Sequence, residues 1–146
     1  MGHYNFDKDL KDGLQAEEEV KTLLKKHFNV GDSDIETLDT KEYDIKIVSK
    51  NLTFEVKNDL MAETTGNIAI EYKSRAKASG ISVTKADYWI YKFAGVFYMI
   101  ETNRLKEEVF EKKNYWRSGV NGGDRGSNTM MFLVKVDTFK SWGVQL

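Results

Sequence analysis

Within the stretch YDIKIVSKNLTFEVK, residues 43–57, Asp44, Glu55 and Lys57 carry groups that can do chemistry together. Two carboxylates and an ammonium group converging on one patch can hold a divalent cation and activate a water. Magnesium takes oxygen ligands in an octahedron and uses one or two protein carboxylates when water and phosphate fill the rest. Asp44 and Glu55 meet that demand, with the backbone carbonyl of Val56 as a natural third ligand between them. Such a metal polarises a phosphoryl oxygen and lowers the pKa of its bound water. Lys57 lies two residues beyond Glu55, roughly 6.6 Å along the same strand face. It can orient that water or steady the developing negative charge.

The element that must position them is a two-stranded hairpin. Alternation puts Leu52, Phe54 and Val56 on one face and Thr53, Glu55 and Lys57 on the other. Ser49, Lys50 and Asn51 supply a polar turn, so antiparallel pairing brings Asp44 beside the Glu55/Lys57 row.

Before the hairpin, Ala16, Val20, Leu23, Leu24 and Phe28 fall at helical spacing and predict a helix over residues 13–28, with Asp9 or Asp12 as its cap and Gly31 as its stop. At 100° per residue Glu17 sits about 60° from Val20, on the edge of the apolar stripe, whereas Glu18 and Glu19 are about 160° and 100° away. Glu18 and Glu19 read as a solvated acidic first turn favoured by the helix dipole. Glu17 supports either that reading or a functional one.

After the hairpin, residues 58–66 read as a loop or short helical turn. Residues 67–73 alternate again, with Glu71 on the polar face as a further acid or as a partner for Lys57 or Lys73. Residues 87–93 and 96–101 predict a second hairpin turning at Ala94-Gly95. Thr102 reads as an N-cap for a helix over 103–113 with Leu105, Val109 and Phe110 inward. The segment GVNGGDRGSN, residues 119–128, lacks a Gly-Lys-Ser/Thr ending and is no nucleotide P-loop. It reads as a mobile loop whose neighbours Arg117 and Arg125 could touch phosphate. A strand over 130–136 and a short tail follow.

The chain of 146 residues is most simply one domain. Cysteine is absent, which removes disulfides, thiolate zinc sites and cysteine nucleophiles together. His3 and His27 are the only histidines, too few for a histidine-rich metal site. No apolar run approaches the roughly 18 residues that suggest a membrane span, and the start lacks a signal-peptide pattern, so a cytoplasmic location is expected, that of the host cell if the chain is phage-encoded.

Net charge is −1, so nucleic-acid binding must come from local clustering. Lys73, Arg75, Lys77, Lys85 and Lys92 stand against Asp87 alone, while residues 7–19 are strongly acidic. A cationic stretch next to a carboxylate cluster suits a polyanion lying over a bound metal. The plainer reading is a solvated, lysine-rich loop.

Asp44 after Tyr43, followed by Glu55-Val56-Lys57, resembles the PD-(D/E)XK nuclease superfamily. Tyr43 stands where that signature has proline, which is often replaced. The likeness covers residues 13–101 and implies an α/β fold with a restriction-endonuclease-like core, a central mixed sheet flanked by helices. A helix, a glycine-rich loop and a strand over 102–146 complete a single domain.

The resemblance further implies Asp44 and Glu55 as metal ligands for Mg2+ or Mn2+, Lys57 as the catalytic lysine, and Glu17 as the helix acid of the resolvase-like branch. Gly66-Asn67-Ile68 through Glu71, Ser79-Gly80-Ile81 and Ala86-Asp87-Tyr88-Trp89 also look like small phage-type members. That likeness places Thr84 and Lys85 on or near a second core helix, in contact with the nucleic-acid backbone. The activity implied is metal-dependent endonucleolytic hydrolysis of DNA, of branched-DNA resolvase or nicking type, with RNA still open. Resolvases of this superfamily act as homodimers, for which the sequence offers no surface. The rival is a non-catalytic nucleic-acid-binding module on the same fold, or a plain protein-interaction domain.

Overall fold

The computed structural model describes residues 6–38, 43–121 and 128–146. Helix α1 (Phe6–Phe28) buries Ala16, Val20 and Leu24 completely, the stripe that a four-residue spacing dictates. It starts well before residue 13, so Asp9 and Asp12 lie within the helix and do not cap it. Phe6, Leu10 and Leu14 recur at four-residue spacing ahead of Ala16, a helical period that the polar reading of residues 1–12 passed over. The stop also differs from the expected Gly31. Asn29 takes the left-handed conformation at φ 55°, and Val30 N–H donates to Lys25 O at 3.0 Å, which closes the helix in a Schellman motif. Gly31 instead precedes a 3-10 turn, Asp32–Asp34.

The strands in chain order are β1 (Ile35–Thr37), β2 (Ile45–Ile47), β3 (Leu52–Asn58), β4 (Asn67–Ser74), β5 (Lys77–Ala78), β6 (Tyr88–Phe93), β7 (Val96–Glu101), β8 (Arg117–Asn121), β9 (Met130–Lys135) and β10 (Val144–Gln145). Short helices α2 (Ala62–Thr65), α3 (Thr102–Lys106) and α4 (Val136–Lys140) join them, and α3 continues as a π-helical turn, Glu107–Glu111. One sheet has the order β1-β2-β3-β6-β7-β10 and the other β5-β4-β9-β8. The six-stranded sheet is mixed: β3 runs parallel to β6, and its other pairs are antiparallel. The protein is therefore α/β with a mixed central sheet and flanking helices.

The expected hairpins form. Ile45 faces Phe54 and Ile47 faces Leu52 across β2 and β3. Ala94 and Gly95, at φ 49° and 75°, make the two-residue turn between β6 and β7. Positive φ at both central residues matches the turn to the twist of the strands.

Parallel neighbours need a crossover, usually helical. Here the chain between β3 and β6 makes only a four-residue helix before it turns into β4 and β5. Ile68, Ile70 and Tyr72 alternate, so this segment buries its apolar residues as a strand face. The second core helix expected near Thr84 and Lys85 is accordingly absent: Gly80–Ser82 is a single 3-10 turn and residues 83–87 are irregular.

Two cores result. Val20 and Leu24 of α1 pack on Ile45, Phe54, Ile90 and Met99 at one face of the central sheet. On the opposite face Trp89, Tyr91 and Ile100 pack against Ile70, Phe132 and Phe139. The C-terminal segment is thus part of both sheets and of the second core. Among the described residues no helix is long and apolar enough to cross a membrane.

Candidate active site

Strand β2 pairs with β3 only as far as Ile45 opposite Phe54, which leaves Glu55–Asn58 of β3 without a β2 partner, and Asp44 stands where the pairing stops. Its N–H donates to Phe54 O at 2.9 Å, and its Oδ2 accepts the Val56 N–H at 2.8 Å. The carboxylate takes the place that a strand carbonyl would otherwise occupy, so it lies in the plane of the sheet at a notch in its edge. The N–H and C=O of a strand residue face the same neighbour, which turns the Val56 carbonyl toward that notch as well.

Glu55 and Lys57 project from the face opposite Phe54. Glu55 Oε1 lies 3.3 Å from Lys57 Nζ, with the two side chains 18% and 41% exposed. Their neighbours on the parallel strand β6 are Trp89 and Tyr91, both buried. Lys57 Nζ sits 5.5 Å from the Trp89 ring centroid, within cation–π range.

Burial pushes the Glu55 carboxyl above the ordinary glutamate range. Lys57 opposes that shift, while the charges of Asp44 and Glu17 reinforce it. Asp44 and Glu17 are therefore electrostatic neighbours of Glu55, although α1 packs on the far face of the sheet. Two further carboxylates thus bear on the partly desolvated Glu55, and a divalent cation beside it would offset their charge. The donor set of carboxylate and carbonyl oxygens is hard, as Mg2+ or Mn2+ requires. Among the described residues no three acidic, histidine or cysteine side chains cluster as a metal cage, so the fit rests on Asp44, Glu55 and the Val56 carbonyl.

The remaining expected residues divide. Glu71 lines a cleft of about 550 Å³ together with Lys57, so the two share one surface. Lys73, Arg75 and Lys77 are exposed along the β4–β5 hairpin, whose turn residues Arg75 and Ala76 have φ 51° and 65°. Lys85 is exposed in the irregular segment. Thr84 Oγ1 accepts the Trp89 Nε1–H at 3.1 Å and the Ala86 N–H at 3.3 Å, so it fixes the floor beneath Glu55.

Lys92 leaves the expected cationic run: it faces α1 and pairs with Glu19 at 2.9 Å. Glu19 thereby ties α1 to β6, contrary to its expected role in a solvated turn. Arg117 is exposed on β8, which occupies residues expected in a loop. Arg125 lies outside the described residues. Thr102 caps no helix; its hydroxyl donates to Ala86 O at 2.7 Å. Phe110, expected inward, is 40% exposed.

Sequence reading missed Asp59, the next member of the row Glu55, Lys57, Asp59. Its Oδ1 accepts the Met61 and Ala62 N–H groups at 3.2 and 3.0 Å, and its Oδ2 accepts the Ala69 N–H at 2.9 Å. It stitches β3, α2 and β4 together behind the lysine. The Tyr91 hydroxyl donates to Ala69 O at 3.2 Å. Burial, then the charges of Asp59, Glu55 and Glu71, push that phenol well above its ordinary range. Gly80 holds Glu71 from behind at φ 53°, and a Cβ there would lie 2.2 Å from Glu71 O. The two-residue alternation was the only signal that could have flagged Asp59.

No protein-family model matches the chain, and no curated protein or solved structure matches it significantly.

Proposed function

We propose that the protein is a metal-dependent endonuclease of the PD-(D/E)XK type that hydrolyses DNA phosphodiester bonds, of branched-DNA resolvase or nicking type. The observation that carries this reading is the Asp44 carboxylate held at the notch by Val56 N–H, next to Glu55 and its Lys57 partner. The restriction-endonuclease-like core belongs to the same proposal, with the strand-built crossover as this chain's own variation.

In this reading Asp44, Glu55 and the Val56 carbonyl would hold Mg2+ or Mn2+. The ion would polarise the phosphoryl oxygen and acidify a water. Lys57, whose ammonium group lies over the Trp89 ring, would donate hydrogen bonds to that water or to the phosphate oxygens as negative charge develops. Glu17, on α1, adds negative charge that reaches Glu55. Asp59 and Thr84 keep the site in shape.

The test is nicking of supercoiled plasmid with and without manganese, then cleavage of linear, flapped and four-way DNA by wild type and Lys57→Ala. Cleavage that needs metal and falls at least a hundredfold in the variant is expected. Comparable cutting by both proteins would remove the role given to Lys57. A wild type that binds these DNAs and cuts none of them would instead make the chain a nucleic-acid-binding module.

A further inference from the structure

The outer face of the four-stranded sheet carries residues that neither core uses. Ile68, Ile70, Phe132 and Val134 point into the second core, so alternation assigns Ala69, Glu71, Met131, Leu133 and Lys135 to the opposite face. The register confirms the rows: Glu71 opposite Met131, Ala69 opposite Leu133, and Asn67 opposite Lys135. On the other side of β9, Val120 lies opposite Met131 and Arg117 opposite Leu133. Ala69, Glu71, Val120, Met131 and Leu133 line the cleft that also holds Lys57. A single surface therefore runs from the candidate catalytic lysine, over an apolar floor, to Arg117 and Lys135.

At the end of that surface stands Trp116. It is 64% exposed, the most exposed large apolar side chain among the described residues, and Lys135 Nζ lies 4.7 Å from its ring centroid. Lys113 borders the same hollow. Among the described residues no carboxylate pairs with Lys113, Arg117 or Lys135. Leaving an indole in water forgoes a large burial gain, and nothing in either core needs this one. An exposed aromatic ring with Lys135 over its face, Lys113 bordering its hollow and Arg117 next in the chain is the combination that binds single-stranded nucleic acid, with the ring stacking on a base and the cations following the phosphates.

We propose that Trp116, with Lys135 and Arg117, is a stacking platform for a single-stranded segment of the DNA substrate, which crosses the outer sheet face to reach Lys57. The proposal rests on the endonuclease reading for the strand's destination, and on Trp116 and its cations for its anchor. It names the substrate as DNA with an unpaired arm or flap beside the cut, because a fully paired duplex cannot offer a base to the ring without unstacking.

The molecule carries its own reporter. Of its tryptophans, Trp89 and Trp142 are 1% and 8% exposed, so only Trp116 is open to a stacking base. We would titrate the full chain with a twelve-nucleotide thymidine oligomer in EDTA, where no cleavage occurs, and follow tryptophan emission. Saturable quenching that weakens with salt is expected. Trp116→Leu should abolish the quenching and weaken binding about tenfold, from the loss of one stacked base, while Trp116→Phe should keep most of the affinity. Lys135→Ala and Arg117→Ala should each lower the salt slope by about 0.7.

Undiminished binding by Trp116→Leu, or quenching that persists in it, would overturn the platform. Metal-dependent cutting of duplex DNA that ignores Trp116 would also overturn it and leave the endonuclease reading intact. Quenching lost with Trp116, in a protein that cuts no DNA, would support the platform and sink only the catalytic reading.

Discussion

Asp44 does two separable things, and two substitutions can pull them apart. Its Oδ2 accepts the Val56 N–H at 2.8 Å, and its charge adds to the repulsion on Glu55. Asp44→Ala leaves a half-buried N–H at the strand end without that acceptor, at a cost of about 1–3 kcal/mol. For a chain of this size each kcal/mol moves the Tm by about 3 °C, so the metal-free alanine variant should melt about 3–9 °C below wild type. Asp44→Asn keeps a carbonyl oxygen for the N–H and removes the charge, so in EDTA it should melt at or slightly above wild type.

Added manganese separates the two proteins in the opposite sense. A site filled at a hundred times its Kd stabilises the fold by about 2.7 kcal/mol, or about 8 °C, and this rise should appear in wild type and vanish in Asp44→Asn. Thermal unfolding followed by circular dichroism in EDTA and in manganese, with plasmid nicking in parallel, measures all of it. Equal melting of the alanine and asparagine variants in EDTA would refute the notch hydrogen bond. A full manganese rise in Asp44→Asn would refute its place as a ligand.

Three further outcomes follow from the same geometry. The Glu55 pKa is raised in the folded state, so its contribution to stability is present below the unfolded value of about 4.3 and is lost as pH rises through the folded one. Glu55→Gln should therefore gain Tm over metal-free wild type as pH goes from 4 to 7 while losing all cleavage, and a flat or reversed difference would contradict the assignment. Gly80→Ala forces a Cβ against Glu71 O at positive φ and should cost roughly 2–4 kcal/mol in denaturant unfolding. Glu108 is almost fully buried; burial pushes its carboxyl up, but hydrogen bonds from Asn114, Lys112 and Arg104 outweigh that and hold it below the ordinary range. Glu108→Gln should cost about 1–3 kcal/mol at pH 7, and the deficit should shrink as the pH falls below about 4.3, since the wild-type advantage is lost as pH drops through the folded pKa.

Some segments were legible in sequence and others were not, for identifiable reasons. The β2–β3 and β6–β7 hairpins and the alternation of β4 were readable because each is written in consecutive residues. The run 119–128 read as loop because its glycines carry no apolar pattern; its first residues join Arg117 in a strand only because Met130, Met131 and Leu133 lie alongside. Lys92 read as part of a basic run because sequence order cannot show that alternation turns it toward α1 and Glu19. Glu108 passed unnoticed because its burial depends on Arg104, Lys112 and Asn114 closing around it.

By itself the sequence determined which side chains share a face: Glu55 with Lys57, Phe54 with Val56, Ala16 with Val20 and Leu24. Those relations follow from the fixed periods of strand and helix, which bonded geometry sets locally. Only the tertiary structure decided that Asp44 lies in the plane of the sheet, that Glu17 reaches Glu55 electrically from the other side, and that a strand pair replaces a helix in the crossover. Each of these depends on which distant segments bury one another's apolar faces, a sum over the whole chain that no local period contains.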